Sequence, residues 1–169
     1  MFIDIHRIGA TGLSLQDSVE LDESQLIEED SFFLERVEYY VYLTREREKI
    51  RARGQIKTTL SLRCVYCLEN FDQEVDSKFD IILFPVGLIE VTNSALDSDE
   101  MEYIFFDGEE IDLEKILMEQ INLFIPYNPT CSPYCKGICP TCGVNLNREE
   151  CRCENVISEM TLLFDKIKR

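Results

Sequence analysis

The chain has 169 residues, of which 45% are hydrophobic and 30% charged, a composition ordinary for a soluble globular protein with a core of its own. No apolar run approaches the ~20 residues needed to cross a bilayer, and the first residues show no secretory signal, so we expect a cytosolic protein with reduced thiols. The net charge of −16 favours basic partners and argues against a surface that binds RNA throughout.

The N-terminal part predicts an antiparallel meander of long strands with one covered face. Residues 2–5, "FIDI", indicate a short strand, and a loop with a short helix around Gln25–Leu34 follows. In the next strand the apolar residues take odd positions, and from Lys49 they take even ones, so the phase change across "TRERE" predicts a hairpin turn. A third strand begins after Cys67 and ends at Pro85. The alternating apolar residues are Val37, Tyr39, Val41, Leu43, Ile50, Ala52, Ile56, Leu60 and Leu62.

The last third predicts an acidic loop and two amphipathic helices. Residues 92–110 form the loop, and the helix in "IDLEKILMEQINLFIP" is capped by Asp107 or Asp112 and ended by Pro126. Residues 154–169 form a C-terminal helix, whose apolar stripe favours core packing over partner binding. The first stripe is Leu113, Ile116, Leu117, Ile121 and Phe124, and the second is Val156, Met160, Leu163, Phe164 and Ile167.

These elements predict an α+β fold. An antiparallel sheet with its helix occupies residues 1–126, and a cysteine-rich zinc-binding module with the C-terminal helix occupies residues 127–169, the two packed as one unit.

The eight cysteines fall into four close pairs, which predicts metal binding. Zinc needs four thiolates at tetrahedral corners, and a C-x-x-C turn delivers two of them, so two tetrahedra would use all eight residues. Disulfides need an oxidising compartment, and a thioredoxin-like site needs a βαβ setting that neither C-x-x-C has. Iron–sulfur ligation stays open, because four thiolates also suit a cluster. We predict two structural zinc ions, held by Cys64, Cys67, Cys131, Cys135, Cys139, Cys142, Cys151 and Cys153.

Two groupings of these cysteines are compatible with the sequence. In the preferred grouping one site is local in sequence and consists of Cys139, Cys142, Cys151 and Cys153. The other site brings Cys64 and Cys67, on the hairpin, to Cys131 and Cys135, just beyond the helix, and would join the module to the sheet. The alternative is a zinc ribbon made by the two C-x-x-C turns, with the second ion held by Cys131, Cys135, Cys151 and Cys153.

The segments "CVYCLENF" and "DLEKILMEQINLFIPYNPTCSPYCKGICPTCGVNLNREECRC" closely resemble the large ribosomal RNA subunit accumulation protein family, also known as YceD. The resemblance runs from about Arg53 to Cys153, and the cysteines map onto the family's motif without gaps. Family members often have an arginine where this chain has Tyr66, and the C-terminal helix departs from the family pattern. The resemblance implies a role in large-subunit ribosomal RNA accumulation, hence in ribosome biogenesis, and implies no catalytic residues.

Two charged surfaces are candidates for partner binding. The basic ribbon, on the outward positions of the second long strand, lies beside Tyr40 and Tyr42 and could hold RNA phosphates while the rings stack on bases. The competing interpretation is a solvated face with cross-strand pairs to Glu38. The ribbon consists of Lys49, Arg51, Arg53, Lys57 and Arg63.

The acidic belt, residues 88–120, has eleven acids and one base, and we expect it to engage a basic ribosomal protein. Its candidate contact residues are Glu109, Glu110 and Glu114, and the simpler interpretation is a solubilising face.

Enzyme signals are few. His6 is the only histidine, and no glycine-rich phosphate loop is present. We therefore predict a non-catalytic cytoplasmic protein that binds a ribosomal protein or large-subunit rRNA precursor, with no membrane and no small-molecule substrate. The alternative is a metal- or thiol-dependent enzyme, a nuclease or an oxidoreductase.

Overall fold

The structure, a computed structural model, describes residues 1–86 and 102–153. The predicted C-terminal helix and residues 92–101 of the predicted acidic loop lie outside the described residues. The strands are β1 Phe2–Asp4, β2 Leu13–Val19, β3 Phe32–Phe33, β4 Val37–Glu46, β5 Lys49–Arg63, β6 Asn70–Pro85, β7 Glu102–Phe106 and β8 Glu110–Asp112, and helix α1 is Leu113–Phe124. Short 3-10 turns occupy Ile5–Arg7 and Glu23–Gln25.

Six strands form one sheet in the order β2-β4-β5-β6-β7, with β3 pairing β5 beside this path. Pairing is antiparallel except between β6 and β7, which run parallel. The β1 and β8 strands form a separate antiparallel pair. A sheet-rich chain with a helix is the α+β class that the sequence predicts. The boundary between residues 126 and 127 stays a prediction.

The core lies between one face of the sheet and α1, which packs against β6. The predicted odd positions of β4 and even positions of β5 are buried there, because alternate side chains of a strand point to the same face. Four of the five predicted stripe residues of α1 are buried, whereas Phe124, in its last position, is 42% exposed. Asp112 is the N-cap, without a side-chain hydrogen bond to the helix, and the helix ends before Pro126.

Gly54 allows a close approach inside this core. It lies between Val41 and Phe79 in register. A Cβ atom at position 54 would lie 2.5 Å from Phe79 Cζ and 2.6 Å from the Tyr40 carbonyl oxygen. The aromatic ring therefore crosses β5 at the one position that has no side chain, and any larger residue would displace it.

The predicted helix around Gln25–Leu34 is wrong. The segment contains the end of a 3-10 turn and the short strand β3. Asn122 of α1 explains part of the difference, because its Oδ1 accepts a hydrogen bond from Ile27 N and its Nδ2 donates to the Gln25 carbonyl, both at 3.0 Å. A tertiary contact thus takes the Gln25 carbonyl, which the first turn of a helix would use as an acceptor.

The predicted loop at residues 92–110 is wrong in its described part, which contains β7 and begins β8. Parallel pairing with β6 places Ile104 opposite Leu83. Phe106 is buried in the core. The apolar run "IFF" was the available signal. Strand β2, which sequence reasoning did not predict, pairs with β4 along its whole length.

Within residues 1–86 and 102–153, no helix has the length and apolar character that a bilayer-crossing segment requires.

Candidate metal centres

The hairpin cluster, our name for Cys64, Cys67, Cys131 and Cys135, lies at the tip of the β5–β6 hairpin. Its four sulfur atoms lie within 4.8 Å of one another. The Cys64 and Cys135 sulfurs are 3.8 Å apart, and those of Cys67 and Cys131 are 3.7 Å apart. The cluster thus joins two C-terminal cysteines to the end of a long strand pair.

A tight turn presents the first two thiols. Cys64 follows the last residue of β5, and its N–H donates to the Glu69 carbonyl at 2.9 Å. Leu68 N donates to the Cys64 carbonyl at 2.9 Å, and Leu68 has a left-handed φ of 60°. Both thiols are buried, with Cys64 fully inaccessible to solvent.

Backbone contacts hold the following segment against this turn. Val65 N donates to the Pro129 carbonyl at 3.0 Å, and Ile138 N donates to the Tyr66 carbonyl at 3.1 Å. Gly137 has a φ of 72°, and a Cβ atom on it would lie 3.1 Å from the Tyr66 carbonyl oxygen. Tyr66 therefore contributes its backbone to the contact, while its side chain is exposed.

The module cluster, our name for Cys139, Cys142, Cys151 and Cys153, is local in sequence. Its four sulfurs also lie within 4.8 Å of one another. The sulfur of Cys151 is 3.2 Å from that of Cys139 and 3.7 Å from that of Cys142. Gly143, at a φ of 74°, closes the C-x-x-C turn by donating its N–H to the Cys139 carbonyl at 2.8 Å.

The spacing of both clusters fits a four-coordinate metal ion. Tetrahedral geometry with metal–sulfur bonds near 2.3 Å puts the sulfurs about 3.8 Å apart. A disulfide would bring two sulfurs to about 2.05 Å, and all eight cysteines are free thiols. The thiols are arranged as in the first of the two groupings that the sequence allows, and each cluster could hold one metal ion.

Hydrogen bonds prepare one thiol of each cluster for ionisation. Burial acts to raise the pKa of Cys64, but hydrogen bonds from the backbone of Cys131, Cys67 and Tyr66 outweigh it and lower the pKa to about 6. The backbone N–H groups of Cys142 and Thr141, helped by the Cys151 thiol, lower the pKa of Cys139 to about 6. These two thiols therefore ionise well below the ordinary pKa of a cysteine.

The neighbouring thiols resist ionisation. Burial, followed by the adjacent thiols of its own cluster, raises the pKa of Cys131 to about 12. The Cys142 and Cys151 thiols raise the pKa of Cys153 to about 12. Four sulfurs this close repel one another when all are charged, so a cation is what would allow the complete set to ionise.

The basic ribbon is placed on the outer face of the sheet, but its charges are largely paired. Arg51 and Arg53 both contact Asp80, and Lys57 Nζ lies 3.4 Å from Asp76. Arg63 Nη1 lies 2.6 Å from Asp30. Lys49, the fifth member, sits over the Phe84 ring at 4.8 Å.

The two candidate tyrosines share this face. Tyr42 lies opposite Arg53 in register, and Tyr40 lies opposite Gln55. The Tyr42 hydroxyl donates to the Thr11 carbonyl at 2.8 Å, and Tyr40 is 46% exposed. Glu38 stands opposite Lys57, as the competing interpretation expects.

The acidic belt is described from residue 102 onward, and its three candidate contact residues lie in that part. Glu109 and Glu110 are exposed, on the turn into β8. Glu114 lies in the first turn of α1, with its carboxylate 3.0 Å from the N-terminal amine. The imidazole of His6 lies 3.5 Å from Glu109. Acidic side chains therefore line the surface where β1, β8 and α1 meet.

Sequence reasoning missed the polar residues that support the hairpin cluster. Glu69 accepts hydrogen bonds from Arg148 at 3.0 Å and Asn145 at 3.5 Å, and Asn147 donates to the Cys135 sulfur at 3.3 Å. The only sequence signal was the pair of asparagines in "GVNLN", between two ligand pairs.

Residues 52–163, more than half of the chain, match the family described as large ribosomal RNA subunit accumulation protein YceD. A maize relative (Zea mays) is 29% identical over 138 residues, which are 68% of this chain and 47% of the relative. One from Arabidopsis thaliana is 28% identical over 139 residues, 69% of this chain and 43% of the relative. Both are named large ribosomal RNA subunit accumulation protein YCED homolog 1, chloroplastic.

An uncharacterised protein of Mycobacterium tuberculosis is 28% identical over 103 residues, which are 60% of this chain and 47% of that protein. This chain therefore spans less than half the length of each of these three relatives. No solved structure is significantly similar to it.

Proposed function

Because this chain belongs to the large ribosomal RNA subunit accumulation protein YceD family, we propose that it is a non-catalytic ribosome-biogenesis factor that supports the accumulation of large-subunit ribosomal RNA. The observation that carries the proposal is the extent of the family match. Residues 52–163 include most of the β5–β6 hairpin, α1 and all eight cysteines.

The chain binds two zinc ions with a structural role. Each cluster offers four sulfur ligands, which is the composition of closed structural zinc sites. Catalytic zinc sites instead use three protein ligands and keep one position for water or substrate. A zinc ion with four sulfur ligands has no open position at which a water molecule could be activated. The ligand composition of both clusters therefore supports a structural role for zinc over nuclease activity.

The partner is a lysine- or arginine-rich ribosomal protein that approaches the acidic belt. Glu109 and Glu110 are exposed and Glu114 is partly exposed, so all three can attract such a protein, and the net charge of −16 adds to the attraction at long range. Direct RNA binding through the basic ribbon is disfavoured, because Arg51 and Arg53 would have to release Asp80 first.

The test in cells is removal of the protein, followed by measurement of mature large-subunit and small-subunit ribosomal RNA. We expect a selective fall in the large-subunit RNA that the wild-type gene restores. A pull-down with the tagged protein should recover a basic ribosomal protein, and the amount recovered should fall as the salt concentration rises. RNA and protein are identified in the same pull-down. An unchanged ratio of the two RNAs would refute the function, whereas recovery of RNA alone would refute only the choice of partner.

The enzymatic alternative predicts a different reactivity of the thiols. A thiol oxidoreductase needs at least one reactive cysteine in the folded protein. We expect none in the zinc-loaded protein, and a thiol titration together with the metal-to-protein ratio measures this directly.

A further inference from the structure

Asn147 connects the two cysteine clusters. It lies on the segment between Cys142 and Cys151, both members of the module cluster. Its side chain, however, reaches the other cluster, where Nδ2 lies 3.3 Å from the Cys135 sulfur. An ion in the module cluster would therefore fix both ends of a segment whose middle contacts the hairpin cluster.

The orientation of this amide is set by its surroundings. Asn147 Oδ1 accepts a hydrogen bond from Lys136 N at 2.8 Å, so Nδ2 must face the sulfur. Asn145 Oδ1 accepts from both Asn147 N, at 2.9 Å, and Asn147 Nδ2, at 3.0 Å. One amide proton is thus directed to the sulfur and the other to Asn145.

The segment that carries Asn147 is itself held in place. Leu146 N donates to the Gly137 carbonyl at 2.9 Å, and Ile138 forms an isolated bridge with Asn145. Cys139 N donates to the Val144 carbonyl at 2.8 Å. These contacts run from Cys139, a ligand of the module cluster, to Gly137, two residues from the hairpin-cluster ligand Cys135. An ordered backbone at one cluster therefore favours an ordered backbone at the other.

We propose that the two clusters bind their metal ions cooperatively and that Asn147 is the positioning residue that couples them. A hydrogen bond to a metal-bound thiolate stabilises its charge, and loss of such outer contacts typically costs ten- to hundredfold in metal affinity. Filling the module cluster orders residues 143–150 and so strengthens the donor at Cys135. Coupling of two binding sites is reciprocal, so filling the hairpin cluster strengthens the module cluster by the same factor. The inference rests on the metal binding proposed above.

The experiment is a competition titration of the full chain with Zn²⁺ and a chromophoric chelator, repeated with ¹¹³Cd²⁺ so that NMR resolves one resonance per cluster. The double variant Cys139→Ser, Cys142→Ser removes the module cluster, and we expect the affinity of the hairpin cluster to fall about tenfold. Asn147→Ala should produce a similar fall alone, and combining it with the double variant should add little more. Asn147→Gln, which keeps the donor, should recover part of the loss.

Asn128→Ala is the matched control, an exposed asparagine with no hydrogen bond in the described part of the chain. It should leave both affinities unchanged. Asn147→Ala should also move the ¹¹³Cd resonance of the hairpin cluster, a signature that a general loss of stability does not produce. Independent filling of the clusters, or coupling that persists undiminished in Asn147→Ala, would overturn the inference while leaving the zinc proposal intact. Failure of wild-type protein to bind either metal would refute the zinc proposal itself.

Discussion

Arg51 donates two hydrogen bonds to Asp80 across strands β5 and β6, from Nε and Nη2, each 2.7 Å long. Arg53 Nε lies 3.3 Å from the same carboxylate, so one aspartate serves two arginines. The hydrogen bond from Arg51, opposed by partial burial and assisted by the charges of both arginines, lowers the pKa of Asp80 below its ordinary value. The centre of the basic ribbon is therefore an ion-paired surface rather than a field of free cations.

The first prediction concerns Asp80→Asn. At pH 7 we expect a loss of about 0.5–1 kcal/mol in the free energy of unfolding, the scale of a partly exposed ion pair. Because the folded pKa of Asp80 is lowered, its stabilisation is present above the unfolded pKa and disappears as the pH falls through the folded pKa. The difference between wild type and variant in urea unfolding should shrink accordingly at acidic pH. Asp72→Asn, an exposed position on the same strand, is the control, and equal losses in the two variants would contradict the prediction.

The second prediction compares the two charged surfaces. Charge reversal at Glu109, Glu110 and Glu114 should slow association with a basic large-subunit ribosomal protein about tenfold at low salt, because the attracting field is reversed. Reversal at Arg51 and Arg53 should leave that rate nearly unchanged. Surface plasmon resonance measures both, with circular dichroism to check folding. Rates that respond to the arginines and ignore the glutamates would restore RNA as the direct partner, as would RNA affinity that falls steeply with salt in the wild type.

The third prediction is metal content. Purified protein should carry two zinc ions per chain, because each cluster supplies a complete ligand set. Metal binding should weaken on acidification, since protons compete for the ligands and even Cys64 and Cys139, with pKa values of about 6, become protonated below that pH. Elemental analysis against pH measures this. Fully folded protein without bound metal would end the structural-zinc proposal.

The fourth prediction separates the clusters at saturating zinc. Cys64→Ser should lower global stability by about 4 kcal/mol, a size characteristic of a lost metal site, because it breaks the connection between β5 and the cysteine-rich segment. Cys139→Ser should mainly increase hydrogen exchange in residues 137–153, because that cluster is local. Chemical denaturation and exchange mass spectrometry distinguish the two outcomes. Equal loss of both ions in both variants at saturating zinc would contradict separate sites.

The fifth prediction tests the packing around Gly54. Gly54→Ala should cost about 1–3 kcal/mol, because the new methyl group overlaps the Phe79 ring and the Tyr40 carbonyl. Gly9→Ala is the matched control, since a Cβ atom there meets nothing within 4 Å. Thermal unfolding gives both values, and a Gly54 variant as stable as the control would show that the ring moves aside without cost.

The features predicted correctly from the sequence are those that depend on residues close together in the chain. Alternation placed the buried faces of β4 and β5, and the 3.6-residue period placed four of the five stripe residues of α1 in the core. The C-x-x-C turns could be recognised for the same reason, since turn chemistry depends on neighbouring residues.

The features that sequence reasoning predicted wrongly or overlooked all depend on contacts between residues far apart in the chain. The backbone near Gln25 and Ile27 follows Asn122, which lies 97 and 95 residues further along the chain. Strand β7 exists through parallel pairing with β6, which no local pattern specifies. Asn147 was missed because its significance depends on Cys135, a residue of the other cluster.

The hairpin cluster also has a consequence for the order of events during synthesis. Cys64 and Cys135 are 71 residues apart, and β7, β8 and α1 lie between them. At 5–20 residues per second, a ribosome needs roughly 4–14 s to add that stretch. Cys64 and Cys67 therefore lack their two partner thiols throughout this time, first while β6 is made and then at the tip of the completed hairpin. Once the last ligand is made, a bound ion would act as a cross-link that removes about 4 kcal/mol of unfolded-chain entropy on the scale for covalent loops. From that moment, the supply of metal would decide how long the four thiols of the hairpin cluster stay open to oxidation.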